Sequence, residues 1–167
     1  MIKIGKLTVS DNFFSKEDNK VILDYCKRSP YYYGEKDDKD TPPCGMVHDI
    51  LKHEHIYNFI SNKIEEVYPD VKKMNLYRMY VNCFSPAEKP YFHTDGPSGL
   101  TFIYYANDEE WNINDGGETQ FYSGGILTGL PPITNRMAIF PPDLLHCATS
   151  FRDRHKFTVA IKYEDRK

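Results

Sequence analysis

The stretch Tyr91-Phe92-His93-Thr94-Asp95-Gly96 decides how the fold is interpreted when it is read together with the later His146. Successive side chains of a β-strand point to opposite faces, so His93 and Asp95 would project from one face with Thr94 turned away. Two imidazole nitrogens and one carboxylate oxygen make a facial triad, which fills one face of an octahedral ion and leaves the other face open. The sequence therefore predicts a metal site of His93, Asp95 and His146, of the kind that suits non-haem Fe(II).

The bulk composition is that of a globular protein and excludes several other classes. The 167 residues are 40% hydrophobic and 27% charged, and a high aromatic content of 14% favours strands. A formal net charge of −3 argues against binding of a phosphate backbone as the main activity. Because no apolar run could span a bilayer and the N-terminus lacks the apolar core of a signal peptide, we expect a soluble cytoplasmic protein without membrane or nucleic-acid partners.

The pattern of apolar residues changes near Met74 and divides the chain into two parts. Residues 2–9 alternate as a strand does, a helix is predicted from a capping box at Ser15 to Ser29-Pro30, and a second helix is predicted over 52–67. The later part predicts strands near 75–84, 90–95, 100–106, 118–122, 136–140, 145–149 and 156–163. We expect one α+β, mainly β domain over 1–167, with a helical part about 1–73 packed on a β core about 74–164.

Several motifs of the β part, taken in this order, resemble those of the Fe(II)/2-oxoglutarate-dependent dioxygenases, particularly the prolyl-4-hydroxylase-like branch. They are His93-Thr94-Asp95, Tyr104-Tyr105-Ala106-Asn107, Trp111, Gly116-Gly117-Glu118-Thr119 and Arg136-Met137-Ala138-Ile139-Phe140-Pro141. The similarity covers about residues 74–164. It implies a double-stranded β-helix (jelly-roll) core, with the His-x-Asp pair on one strand and the distal histidine on a later strand.

The resemblance also implies a binding site for 2-oxoglutarate. Members of the family carry a Lys or Arg about ten residues beyond the distal histidine, and Lys156 occupies that place here. A cation there would bind the far carboxylate of the dianion. Thr158 lies on the same face of the strand, and Tyr105 matches a tyrosine that serves this carboxylate in the hydroxylase branch. Arg154 would replace Lys156 as the anchor if the strand register shifted.

The implied reaction is hydroxylation of an unactivated C–H bond, coupled to conversion of 2-oxoglutarate into succinate and CO₂, with Fe(II) and O₂ required and ascorbate a candidate cofactor. A prolyl residue of a peptide or protein is the predicted substrate, and Tyr31–Tyr33 in the polar loop 29–45 would suit it. The loop itself is either a functional lid or disordered. The alternatives are a free amino acid or other small molecule, a non-catalytic cupin-like metal-binding module, and a zinc hydrolase, which would have no use for Lys156.

Overall fold

The computed structural model describes residues 2–108 and 110–166, the first three of them as backbone only. The helices are α1 (Lys16–Arg28), α2 (His55–Val67) and a 3₁₀ helix (Pro69–Lys73). The strands are β1 (Ile2–Ile4), β2 (Leu7–Ser10), β3 (Tyr32–Tyr33), β4 (Met46–Asp49), β5 (Met74–Phe84), β6 (Leu100–Tyr105), β7 (Thr119–Ser123), β8 (Ile126–Leu130), β9 (Met137–Phe140), β10 (His146–Ala148) and β11 (Lys156–Asp165).

These strands form two antiparallel sheets. The larger sheet has the order β1-β2-β9-β6-β11-β5-β4-β3, and the smaller sheet has the order β10-β7-β8. A bridge between His93 and His146 attaches one further segment of chain to β10 of the smaller sheet. The predicted double-stranded β-helix, mainly β with helices added, is confirmed.

Side-chain alternation gives the central strands of the larger sheet two different faces. One face is apolar and packs in one cluster with Ile22 of α1 and Ile60 and Ile64 of α2. Its strand residues include Val81, Phe102, Tyr104, Val159 and Ile161. The intervening residues point the other way and line a cavity, among them Asn82, Thr101, Thr158 and Lys162. The helices therefore cover one face of the sheet, and the other face is left to bind ligands.

Helix α1 begins where the sequence predicts. The Ser15 hydroxyl oxygen accepts the backbone N–H of Asp18 at 3.0 Å, which satisfies one of the free N–H groups of the first turn. The helix ends at Arg28, two residues before Pro30. Helix α2 begins at His55, three residues later than predicted, because residues 52–54 form a turn. No helix of the described residues has the length and apolar character needed to cross a membrane.

Several elements differ from the sequence-based prediction. The segment 90–95 is not a strand, and β8 was not predicted. The part before Met74 is not only helical, because β1 to β4 lie there and extend both edges of the larger sheet. The stretch 2–9 is a hairpin rather than one strand, since Gly5 has a φ of +59° and turns the chain between Ile4 and Leu7.

Gly99, just before β6, is a position where we expect a large effect on stability. Its φ is +114°, and a Cβ built there would lie 2.0 Å from the Tyr163 carbonyl oxygen of the neighbouring strand. Gly99→Ala should lower the free energy of unfolding by about 3 kcal/mol or more, because backbone strain adds to overpacking. Gly124→Ala is the control: its φ is +58° with nothing within 4 Å, so the loss should be about 1 kcal/mol. Equal losses in urea unfolding would contradict this account.

Candidate metal centre

His93, Asp95 and His146 lie together although His93 and His146 are 53 positions apart in the sequence. One ligand atom from each residue lies within 4.8 Å of the others. The Nε2 atom of His93 is 3.7 Å from Asp95 Oδ1, and the Nε2 atom of His146 is 3.6 Å from Asp95 Oδ2. Among the described residues, this is the group of three or more His, Cys, Asp or Glu side chains that could hold a metal ion. The structure thus brings the three predicted ligands to one place.

The convergence does not depend on the strand predicted over 90–95. His93 and His146 exchange two backbone hydrogen bonds, of 2.9 and 3.0 Å, and the Asp95 N–H donates to the Pro142 carbonyl oxygen at 2.8 Å. The Tyr91 N–H donates to Asp37 Oδ2 at 2.7 Å instead of to β10, so the segment is joined to β10 only by this bridge. The prediction of a strand over 90–95 was wrong, but the bridge still places His93 and Asp95 beside His146.

Both imidazoles are oriented by the same kind of hydrogen bond. His93 Nδ1 lies 3.1 Å from the Tyr91 carbonyl oxygen, and His146 Nδ1 lies 2.9 Å from the Leu144 carbonyl oxygen. A carbonyl oxygen only accepts, so each Nδ1 carries the proton and each Nε2 keeps a lone pair directed at the shared site. Burial lowers the pKa of His146 to about 4, so this ring is neutral at neutral pH. A neutral imidazole is the form that binds a metal.

The Asp95 carboxylate is held on both oxygens. Its side chain is 2% exposed. Oδ1 accepts a hydrogen bond from the Lys162 ammonium at 2.7 Å, and Oδ2 accepts one from the Thr101 hydroxyl at 2.7 Å. Burial raises the pKa of Asp95, but the charges of Lys162 and His146 and the hydrogen bonds from Lys162 and Thr101 together outweigh burial, and the net pKa is lowered. The group is therefore an anion. Neither Lys162 nor Thr101 was predicted, although Lys162 lies on the same alternating face of β11 as Thr158.

The cavity beside this group lies over alternate residues of β11. Thr158, Ala160 and Lys162 line it, and their partners Asn82 and Tyr80 on β5 line it beside them. Ala160 is the smallest of these side chains, so the middle of the cavity floor stays open. The cavity thus extends from the candidate metal ligands along the strand toward Lys156.

Lys156 is completely buried at the start of β11. Its Nζ donates to the carbonyl oxygens of Gly117 at 2.7 Å and Thr149 at 2.6 Å, and no carboxylate of the described residues forms an ion pair with it. Burial lowers the pKa of Lys156 to about 7. An ammonium has three N–H donors, so one remains for a further acceptor. Phe84 lies opposite Lys156 across the strands and lines the cavity.

The other residues predicted for this end of the cavity lie at different depths. Thr158 lines the cavity directly. Tyr105 is completely buried and is not among the lining residues. It donates its hydroxyl hydrogen to Thr119 Oγ1 at 2.6 Å, and Thr119 does line the cavity. Neither Lys156 nor Arg154 is among the lining residues. Arg154 binds Asp115 at 2.9 Å and lies over the Phe151 ring. Lys156 Nζ lies 5.7 Å from the centroid of the Phe84 ring, which does line the cavity.

The polar loop 29–45 contributes the outer wall of the cavity. Glu35, Lys36 and Asp37 line it from this loop. Asp37 accepts the backbone N–H of Tyr91 at 2.7 Å, and its other oxygen lies 3.5 Å from His93 Nδ1. These contacts bind the loop to the segment that carries two of the candidate metal ligands.

Comparison with protein families identifies the same region. A family model described as the 2OG-Fe(II) oxygenase superfamily matches residues 75–163, from the first residues of β5 to the end of β11. This range contains His93, Asp95 and His146, and also Lys156. The sequence matches none of the curated proteins at a significant level.

Several solved structures are similar in fold at low sequence identity. A prolyl hydroxylase from Trichoplax adhaerens, in complex with a hypoxia inducible factor oxygen degradation domain peptide fragment, has a TM-score of 0.79 and 14% identity, covering 96% of this chain and 84% of that one. The viral collagen prolyl hydroxylase from Paramecium Bursaria Chlorella virus-1, as a 2-oxoglutarate complex, has a TM-score of 0.73 and 17% identity, covering 96% and 97%. HygX from Streptomyces hygroscopicus, with nickel, 2-oxoglutarate and hygromycin B bound, has a TM-score of 0.70 and 10% identity, covering 96% and 83%.

Proposed function

The chain belongs to the 2OG-Fe(II) oxygenase superfamily, and from this premise we propose that it is a dioxygenase that hydroxylates a prolyl residue of a peptide or protein. The observation that carries the proposal is the presence of two complementary features in one region. A buried group of two imidazoles and a carboxylate lies at one end of a cavity, and beyond the other end lies a buried ammonium that forms no ion pair with any carboxylate that the structure describes.

The donor set fits the metal that the family implies. His93 and His146 would each offer Nε2, and Asp95 would offer a carboxylate oxygen, as in a facial triad with its opposite face open. When bound, Fe(II) with 2-oxoglutarate and O₂ supplies the oxidation of a C–H bond, while 2-oxoglutarate becomes succinate and CO₂. The carbonyl groups of Tyr91 and Leu144 keep both imidazoles in the tautomer that binds a metal.

The far end of the cavity fits the cosubstrate. Lys156 would donate its third N–H to the far carboxylate of 2-oxoglutarate, and Thr158 would donate its hydroxyl to the same group. Tyr105 would act through Thr119, because its own hydroxyl is directed at Thr119 Oγ1. A buried lysine with a lowered pKa and no carboxylate partner is costly in a fold, and the arrival of an anion would remove that cost.

The open side of the site supports a peptide substrate. Tyr91 and Phe92, next to His93 in the sequence, are 42% and 40% exposed, and Tyr33 of the polar loop is 66% exposed. Exposed aromatic rings suit the compact apolar ring of proline, and Glu35, Lys36 and Asp37 at the cavity wall offer polar groups to a peptide chain. Similarity in fold to the Trichoplax enzyme solved with a peptide fragment agrees with this choice. Similarity to HygX, solved with hygromycin B, makes a small molecule the alternative.

A product assay tests the proposal. Purified protein with Fe(II), 2-oxoglutarate, O₂ and ascorbate should form succinate in the presence of proline-containing peptides, and mass spectrometry should locate one added oxygen on a prolyl residue. Peptides with alanine in place of proline should remain unmodified, and omission of ascorbate tests its predicted role. An added oxygen on a free amino acid or another small molecule would replace the prolyl assignment. A wild-type protein that binds metal but never forms succinate would instead favour a non-catalytic module.

A further inference from the structure

Lys162 and Thr101 form a pair of donors for one carboxylate. They are direct cross-strand partners on β11 and β6. Residues directly opposite each other on antiparallel strands present their side chains on the same face, with Cβ atoms about 4.5–5.5 Å apart. Lys162 Nζ reaches Asp95 Oδ1 at 2.7 Å, and Thr101 Oγ1 reaches Asp95 Oδ2 at 2.7 Å. The register of the sheet thus supplies one donor for each carboxylate oxygen.

The surroundings of the pair restrict the movement of both donors. Thr101 is 1% exposed, and the Lys162 side chain is 13% exposed. Lys162 Nζ lies 5.2 Å from the centroid of the Tyr80 ring, and Tyr80 lies on β5, the other neighbour of β11. Asp95 is also bound through its backbone N–H to Pro142. Lys162 and Thr101 are therefore fixed on strands of the larger sheet, and the backbone of Asp95 is held separately, by the loop that contains Pro142.

We propose that Lys162 and Thr101 are positioning residues that orient Asp95 so that it offers a single oxygen to the metal. This inference rests on the proposed function, because it concerns the same metal site. A carboxylate can bind a metal through one oxygen or through both, and binding through both occupies an additional coordination position. Each donor occupies one of the two lone-pair sites of its oxygen, so the pair fixes the plane of the carboxylate. A rotation that turned both oxygens toward one metal ion would break at least one of these two hydrogen bonds. The open face then keeps its positions for cosubstrate and O₂.

The charge of Lys162 makes this role different from simple attraction of a metal. An ammonium repels a nearby divalent cation, so the positive charge of Lys162, taken alone, weakens metal binding. Its attachment to Asp95 instead limits how the carboxylate can rotate. Thr101 makes the matching contact without any charge, so variants of the two residues separate orientation from electrostatic repulsion.

Co(II) is the probe for the test, because its visible absorption changes with coordination number and reports the site without turnover. Wild type, Thr101→Val, Lys162→Met, Lys162→Arg and the control Lys72→Met, at an exposed lysine of the 3₁₀ helix, are titrated with Co(II). Thr101→Val should bind Co(II) about 10-fold more weakly, as is usual when a partner of a metal ligand is removed. Both Thr101→Val and Lys162→Met should change the shape of the spectrum. Lys162→Arg, which keeps a charged donor, and Lys72→Met should resemble wild type.

The outcomes separate this inference from the proposed function. Failure of the wild type to bind Co(II) would overturn the metal site and the orienting pair with it. Wild-type binding followed by unchanged spectra and affinities in Thr101→Val and Lys162→Met would overturn the orienting pair alone. If circular dichroism shows that Lys162→Met does not fold, Thr101→Val decides the question, because a valine fills nearly the same volume without a donor.

Discussion

His146→Ala should abolish the formation of succinate that depends on Fe(II), 2-oxoglutarate and O₂. The side chain is 3% exposed, and its Nε2 lies 3.6 Å from Asp95 Oδ2. The rings of Phe121 and Phe140, at centroid distances of 6.2 and 4.8 Å, pack against the imidazole, and these apolar neighbours offer no ligand atom to replace it. We expect the rate to fall by about 1,000-fold or more, which corresponds to about 4 kcal/mol of lost transition-state stabilisation.

The control for this result is His53→Ala, which removes an exposed imidazole outside the candidate site. It should leave succinate formation unchanged. Removal of a buried ring also costs stability, so both variants are assayed at a temperature where circular dichroism shows them to be folded. Wild-type rates in folded His146→Ala would contradict the assignment of His146 as a metal ligand.

Lys156→Met should raise the concentration of 2-oxoglutarate needed for half-maximal succinate formation by about 100-fold, because loss of one partner from a buried charge pair costs about 2–5 kcal/mol. Methionine keeps the length and apolar character of the stem and removes the ammonium. Arg154→Met is the matched control, since Arg154 already binds the Asp115 carboxylate at 2.9 Å, whereas Lys156 donates to two carbonyl oxygens. A large effect of Arg154→Met with none of Lys156→Met would move the anchor to Arg154.

The pH dependence of 2-oxoglutarate binding gives an independent signature of Lys156. Burial lowers its pKa to about 7 in the free protein, and a bound carboxylate would raise that pKa again. Only the protonated form attracts the anion, so binding takes up a proton above about pH 7, and the apparent Kd should rise by up to about tenfold per pH unit as the pH increases. Calorimetric titration of the wild type should show this rise between about pH 6.5 and about pH 8.5, and Lys156→Met should not. An equal slope in both proteins would exclude Lys156 as its cause.

Local sequence patterns predicted much of the β core and the helices. Short apolar and aromatic runs broken by Gly, Pro, Asn and Asp predicted β5, β6 and β11, and the Ser15 cap predicted the start of α1. The identities of the candidate metal ligands also followed from sequence, because few residue types bind iron and the surrounding motifs occur in a recognisable order. The cytoplasmic location, the absence of a nucleic-acid partner and the extent of a single domain stay predictions.

The places where prediction failed are those where contacts between distant residues decide the conformation. The sequence predicts a strand over 90–95, but the N–H groups of Tyr91 and Asp95 donate to Asp37 and Pro142 instead of to a partner strand, and only the bridge to His146 forms. The strands of the N-terminal part join the edges of a sheet whose centre is formed by residues far along the chain. Such pairing is not visible in local periodicity, since its free energy comes from a partner strand that the segment itself does not specify.

By itself, the sequence determined which side chains are available: two imidazoles and a carboxylate for a metal, a lysine for an anion, and strands with one apolar and one polar face. Only the tertiary structure decided how they are combined. It placed Lys162 opposite Thr101 and both of them on Asp95, and it buried Lys156 so that its ammonium donates to the carbonyl oxygens of Gly117 and Thr149. The reason is that strand register is set by packing of the whole sheet, and a shift of one residue would turn every one of these side chains to the other face.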